Sequence, residues 1–192
     1  MGNLNSMKLD KKRLSYMLII ILILAGVVGF AYYQNTPKEI TRYNFYGTDL
    51  QFRTDLRSAN SVSVYPDKES ILNKVWDPEI TRIHIVYVVT SNTSEENSLI
   101  ALNAFEVRYK LDVAYQNPKF NWVNEFTSEE LQSFENISQA NNTLVIALVI
   151  PSLSDKTAVE MDGNIVYIKG QTARDFDLAT IKFLMSALNI TV

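Results

Sequence analysis

From Leu14 to Tyr33 the chain reads LSYMLIIILILAGVVGFAYY, a run without one charged side chain. About 20 residues of α-helix, each rising 1.5 Å, cover roughly 30 Å, the thickness of a bilayer's hydrocarbon core. The run therefore predicts a transmembrane helix over 14–33, in contact with the lipid bilayer along its length. Tyr16 near one end and Tyr32 and Tyr33 at the other put phenol rings at headgroup depth, where such amphipathic rings concentrate. Lys8, Lys11, Lys12 and Arg13 stand before the run against Asp10 alone. By the positive-inside rule, residues 1–13 form a basic cytoplasmic tail and everything after the helix lies on the far side of the cell membrane.

A cleaved signal peptide competes with this reading, because Gly29-Phe30-Ala31 offers a small-x-small site. The uncharged stretch continues to Pro37, however, which is long for the apolar part of a signal peptide and favours a retained anchor. Ala25 and Gly29 form a small-xxx-small pair that would let two such helices approach closely. Gly2 and Ser6 fit the loose myristoylation pattern, which a spanning helix makes redundant. A pilin-like subunit is disfavoured, since Lys12-Arg13-Leu14 has no small residue at the expected processing point.

Beyond a polar linker over 34–41, residues 42–192 are enough for one ordinary domain with its own core. The chain has no cysteine, which excludes disulfides, thiolate metal sites and a cysteine nucleophile. Its net charge is −3, and with the basic tail set aside the remainder is more acidic still. That excludes a nucleic-acid partner, which needs a basic face.

Within the domain, Tyr43–Tyr46 and Leu50–Arg53 read as a hairpin around Gly47-Thr48-Asp49. Ser61–Tyr65 alternates like a half-buried strand, and Asp67 caps a short helix through Val75. Ile83–Val89 and Leu144–Ile150 are unbroken, β-branched apolar runs, the pattern of strands buried on both faces in a parallel sheet. Leu99, Leu102, Ala104, Phe105 and Tyr109 recur at helical intervals over Glu95–Lys110. A capping box at Thr127-Ser128-Glu129-Glu130 opens another helix carrying Leu131 and Phe134, and Phe120–Val123 adds an edge strand. Asp162-Gly163 or Gly163-Asn164 turns a hairpin between Ala158–Met161 and Ile165–Lys169. A last helix, Ala173–Leu188, opens on the capping box Thr172-Ala173-Arg174-Asp175. Strands alternating with helices predict an α/β fold: a transmembrane helix, then one three-layer domain with a mixed, mostly parallel sheet and hairpins at its margins.

Candidate chemistry is sparse. His84 is the single histidine, too few for a triad or a histidine-based metal site. Asp175 and Asp177 open the last helix, where carboxylates commonly serve the helix dipole. Gly170-Gln171-Thr172 offers backbone N–H groups to an anion but matches no phosphate-loop pattern. The polar loops 90–94 and 151–154 leave the same edge of the sheet if their strands are parallel neighbours, and that is where α/β folds bind ligands. No catalytic residue, metal or cofactor follows from the sequence. Asn92, Asn136, Asn141 and Asn189 begin glycosylation sequons, of which the first three are the better candidates. The last helix is apolar on two sides, with Leu178, Ile181 and Met185 forming the second. That second face is either covered by the domain's own layers or left for a partner.

The closing residues are Val159–Met161, Gly163–Ile168, Gly170, Thr172, Asp175, Asp177–Thr180 and Lys182–Leu184. This stretch resembles the close of uncharacterised membrane-anchored archaeal proteins. The resemblance implies a cell-envelope setting and carries over no activity and no functional residue. The expected function is an extracytoplasmic binding or interaction module of the envelope, with a protein or surface polymer as partner. A membrane-tethered hydrolase working with carboxylates and Ser or Thr is the alternative, and a surface-layer or filament subunit a third.

Overall fold

The unbroken apolar runs set the architecture. A computed structural model describes residues 40–89, 94–115, 121–128 and 142–192, all within one compact unit, residues 39–192. The segment 14–33 lies outside the described residues, and no described helix is long and apolar enough to cross a membrane. Strands β4 (Arg82–Val89) and β6 (Thr143–Val149) pair in parallel at the middle of a six-stranded sheet. Every residue of β6 is buried. Leu144, Ile146 and Leu148 enter one core cluster with Ile83, Ile85 and Tyr87. Val145, Ala147 and Val149 enter another with Val86, Val88 and Ile165. Burial on both faces is why β6, and β4 from Ile85 on, show no alternation with polar residues.

The remaining strands are β3 (Ser63–Tyr65), β5 (Asn121–Ser128), β7 (Ala158–Asp162) and β8 (Ile165–Lys169), and the sheet runs β3-β7-β8-β6-β4-β5. Only the β7–β8 pair is antiparallel, so the sheet is mixed and mostly parallel, as expected. That hairpin turns on Gly163-Asn164, with Asp162 opposite Ile165 and Gly163 at φ +59°. Strand β5 is the expected edge strand but runs on through Ser128, so Thr127 and Ser128 are strand residues. The helix expected to start there lies outside the described residues.

A second, two-stranded sheet pairs β1 (Thr41–Phe45) with β2 (Thr48–Phe52). Its loop is Tyr46-Gly47, two residues with φ of 46° and 88°, rather than the three expected. The Asn44 side chain accepts from Gly47 N at 3.0 Å and donates to Asp49 at 3.1 Å, which supports a tyrosine in the left-handed region. Strand β1 begins at Thr41, inside the stretch expected as linker.

The described residues form four α-helices, in chain order α1 (Leu56–Asn60), α2 (Lys68–Trp76), α3 (Ser94–Tyr115) and α4 (Ala173–Ala187). Helix α1, for which the sequence gives no signal, lies between the expected hairpin and the expected Ser61–Tyr65 strand and is capped by Asp55. Asp67 caps α2 as expected, accepting from Ser70 N at 2.7 Å. Thr172 caps α4, accepting from Asp175 N at 3.1 Å. Helix α4 ends in a left-handed Asn189, with Asn189 N donating to Ser186 O and Ile190 N to Met185 O, the paired bonds of a Schellman turn. All four helices contribute to the larger core cluster and none to the smaller. Among the described residues, then, helices line one face only.

Helix α4 packs against β7 and β8 and also against α1, α2 and α3. That accounts for its two apolar sides. Ile181 and Met185 are each 2% exposed, and Leu178 is partly buried against the same cluster. The domain covers this face itself, so of the two readings of Leu178, Ile181 and Met185 it is the possible partner face that falls.

Candidate functional site

Helix α3 departs from the usual order of a surface helix. Its inner side includes Asn103, Glu106 and Lys110, which are 1%, 4% and 4% exposed. Charges this deep are retained only when paired. Glu106 bonds Lys110 through one carboxylate oxygen and Arg53, just past β2, through the other, both at 2.5 Å. Arg53 also lies 3.8 Å from Asp177 of α4, which accepts from Asn103 Nδ2 at 2.9 Å. The Lys110 ammonium sits 4.8 Å from the centre of the Phe52 ring. Burial holds this lysine below the ordinary lysine range, against the pull of Glu106, and the nearby Arg53 charge adds to the lowering. Two cations and two carboxylates thus tie the β1–β2 hairpin to α3 and α4. Their tips are turned on one another, which makes the cluster a latch. Among the described residues no group of three or more His, Asp or Glu is placed to hold a metal ion.

The outer side of α3 is apolar. Leu102, Phe105 and Tyr109, three and four residues apart, are 44%, 64% and 52% exposed. The Phe105 and Tyr109 rings stack with centroids 5.7 Å apart and planes within 11°. Arg108 and Asp112 form an ion pair at 3.8 Å beside them, with Arg108 also over the Trp122 ring. The sequence places these apolar residues in a helix but not on its exposed side. Leu99, Ile100, Ala104, Val107 and Leu111 supply the inward stripe, so the helix carries apolar residues on opposite sides and periodicity alone does not choose between them.

The other sequence candidates separate. Asp175 stays with its cap, accepting from Thr172 Oγ1 at 2.8 Å, whereas Asp177 joins the latch. They do not act as a carboxylate pair. The Gly170–Thr172 connection is a close contact rather than an anion cradle. A Cβ on Gly170 would meet Phe176 N at 2.2 Å, and Gln171 N already donates to Thr157 Oγ1 at 3.3 Å. His84 is half-buried in β4, opposite Val123 and Val145 in register. Strands β4 and β6 are parallel neighbours that end on one edge of the sheet, and Ser152 there donates to Glu96 of α3 at 2.8 Å. Residues 90–93, with Asn92, lie outside the described residues, as do Asn136 and Asn141; Asn189 is exposed. Comparison with protein-family models, curated proteins and solved structures finds no match to the chain.

Proposed function

We propose that this chain is a membrane-anchored interaction module of the cell envelope, whose partner protein covers the outer stripe of α3. In this reading residues 14–33 cross the cell membrane once, residues 1–13 stay in the cytoplasm and the domain stands outside. The three-layer form belongs to the same proposal, supported by the buried cluster around Val86 and Val145 on the face that no described helix reaches.

The observation that carries the reading is the exposed, stacked Leu102–Phe105–Tyr109 stripe. Contiguous apolar surface mostly marks an interaction site, and aromatic side chains dominate the binding energy of interfaces. Charge favours a protein over the bilayer surface as the occupant. Of the chain's 18 Lys and Arg and 21 Asp and Glu, five and two precede residue 40, leaving 13 against 19. A domain that acidic is repelled by anionic headgroups. Arg108 and Asp112 at the rim supply one charge of each sign to orient a protein partner.

The test is sedimentation of the full chain, extracted in mild detergent from its own membranes. Wild-type chain should run as a complex larger than itself, and Leu102→Asp with Phe105→Asp should run as the bare chain at unchanged abundance. Equal sedimentation of the two would remove the stripe as the interface, and a complex containing only this chain would replace the partner by a second copy.

A further inference from the structure

At the far end of α4 the helix leaves a cleft of about 90 Å³ between its Schellman turn, the end of α1 and the start of α2. Lys68, the first residue of α2, and Lys182, on α4, both line it, with Asn60, Ser186 and Thr191. No lining side chain is a carboxylate. Lys182 is held in place by donating to Asn60 O at 3.0 Å and Asn60 Oδ1 at 2.8 Å. An ammonium has three donors, so one is left over. Among the described residues neither lysine has an ion-pair partner. Asp67, next to Lys68 in the chain, is already committed to Ser70 as the α2 cap. Burial, and then the positive charge of Lys68, keep the Lys182 ammonium below the ordinary lysine range. Two like charges therefore share a concave, partly desolvated space with no acidic side chain among its lining residues.

We propose that this cleft binds a small oxyanion of phosphate or sulfate size, held between the Lys68 and Lys182 ammonium groups with the Thr191 hydroxyl as a further donor. The cleft is far below the roughly 300–1,000 Å³ of pockets that enclose drug-sized ligands, so the anion enters alone or as the tip of a larger molecule that stays outside. An anion there replaces a repulsion by two charge-assisted hydrogen bonds. This inference is independent of the α3 stripe, which belongs to a different helix.

The experiment is a titration of the full chain in detergent micelles with inorganic phosphate. Amide resonances are followed by NMR, against sodium chloride at matched ionic strength. Saturable shifts confined to Lys68, Lys182, Ser186 and Thr191 are expected with phosphate and not with chloride. Lys68→Met should weaken binding at least about tenfold, the loss of one charge-assisted contact, while Lys74→Met, elsewhere on α2, should leave it unchanged. Lys68→Gln provides the same test should the methionine variant fold poorly. Shifts identical with chloride, or equal affinity in wild type and both Lys68 variants, would overturn the site.

Discussion

Helices α3 and α4 are the two long helices of the described domain, and they use opposite logic. Helix α4 is apolar on two sides because it has structure on two sides, with sheet strands and three helices packed around it. Helix α3 buries Asn103, Glu106 and Lys110 and exposes Leu102, Phe105 and Tyr109. Apolar excess in a sequence therefore has two meanings here. On α4 it is spent inside the fold; on α3 part of it faces outward, while Glu106 and Lys110 join Ile100, Val107 and Leu111 inside. A buried ion network stabilises less than well-packed apolar side chains would, so α3's arrangement is not explained by stability. In the function proposed above, the outer stripe is kept for a partner.

The comparison breaks most visibly at Ile181. Its replacement by aspartate places a carboxylate without a partner in the core, and the expected outcome is loss of the folded domain, read by circular dichroism and by proteolysis. A folded Ile181→Asp variant of wild-type stability would mean that α4 is not covered from within. Next comes the latch. Glu106→Ala leaves Lys110 and Arg53 without their shared carboxylate and should cost about 3–5 kcal/mol in denaturant unfolding. Adding Lys110→Met should recover much of that loss, because the stranded buried ammonium goes with it. A Glu106→Ala variant within about 0.5 kcal/mol of wild type would show that the network holds nothing.

The pH dependence sharpens the same point with a smaller effect. The folded-state value of Lys110 is lowered, chiefly by burial, so the native state releases this proton before the unfolded chain does. Across the window between that lowered value and the ordinary lysine value of about 10.4, the unfolded state binds more protons and the group's contribution to stability rises with pH. Below the window it is constant. The difference in unfolding free energy between wild type and Lys110→Met should therefore shift in favour of wild type as pH rises through the window. A pH-independent difference would contradict burial of the ammonium.

Much of the fold was legible because its signals are local. The apolar runs of β4 and β6, the Gly163-Asn164 turn and the caps at Asp67 and Thr172 each lie within a few consecutive residues. Helix α1 was missed because its five residues are too few to display a period. The Tyr46-Gly47 turn was misplaced because a tyrosine at φ 46° depends on the Asn44 side chain, a contact that composition does not announce. The latch was invisible for a stronger reason: Arg53 meets Glu106 across 53 residues of chain. Asp177 and Asp175 are neighbours in the sequence, yet residues two apart on a helix diverge by about 200°, and only Asp177 points at the latch. The exposure of Phe105 likewise depends on which side of α3 meets the core, and opposite apolar stripes left that undecided.

The smallest expected effect on stability is at Phe105, where aspartate should change the unfolding free energy by no more than about 0.5 kcal/mol. The most direct test of the account therefore looks at contact rather than stability. A photo-crosslinking side chain in place of Phe105, activated in the organism's own membranes, should give one defined adduct with another protein. The same probe at exposed Tyr65, away from α3, should give none, and Leu102→Asp should abolish the adduct at position 105. No adduct at 105, or the same products from both positions, would contradict a docking face on α3.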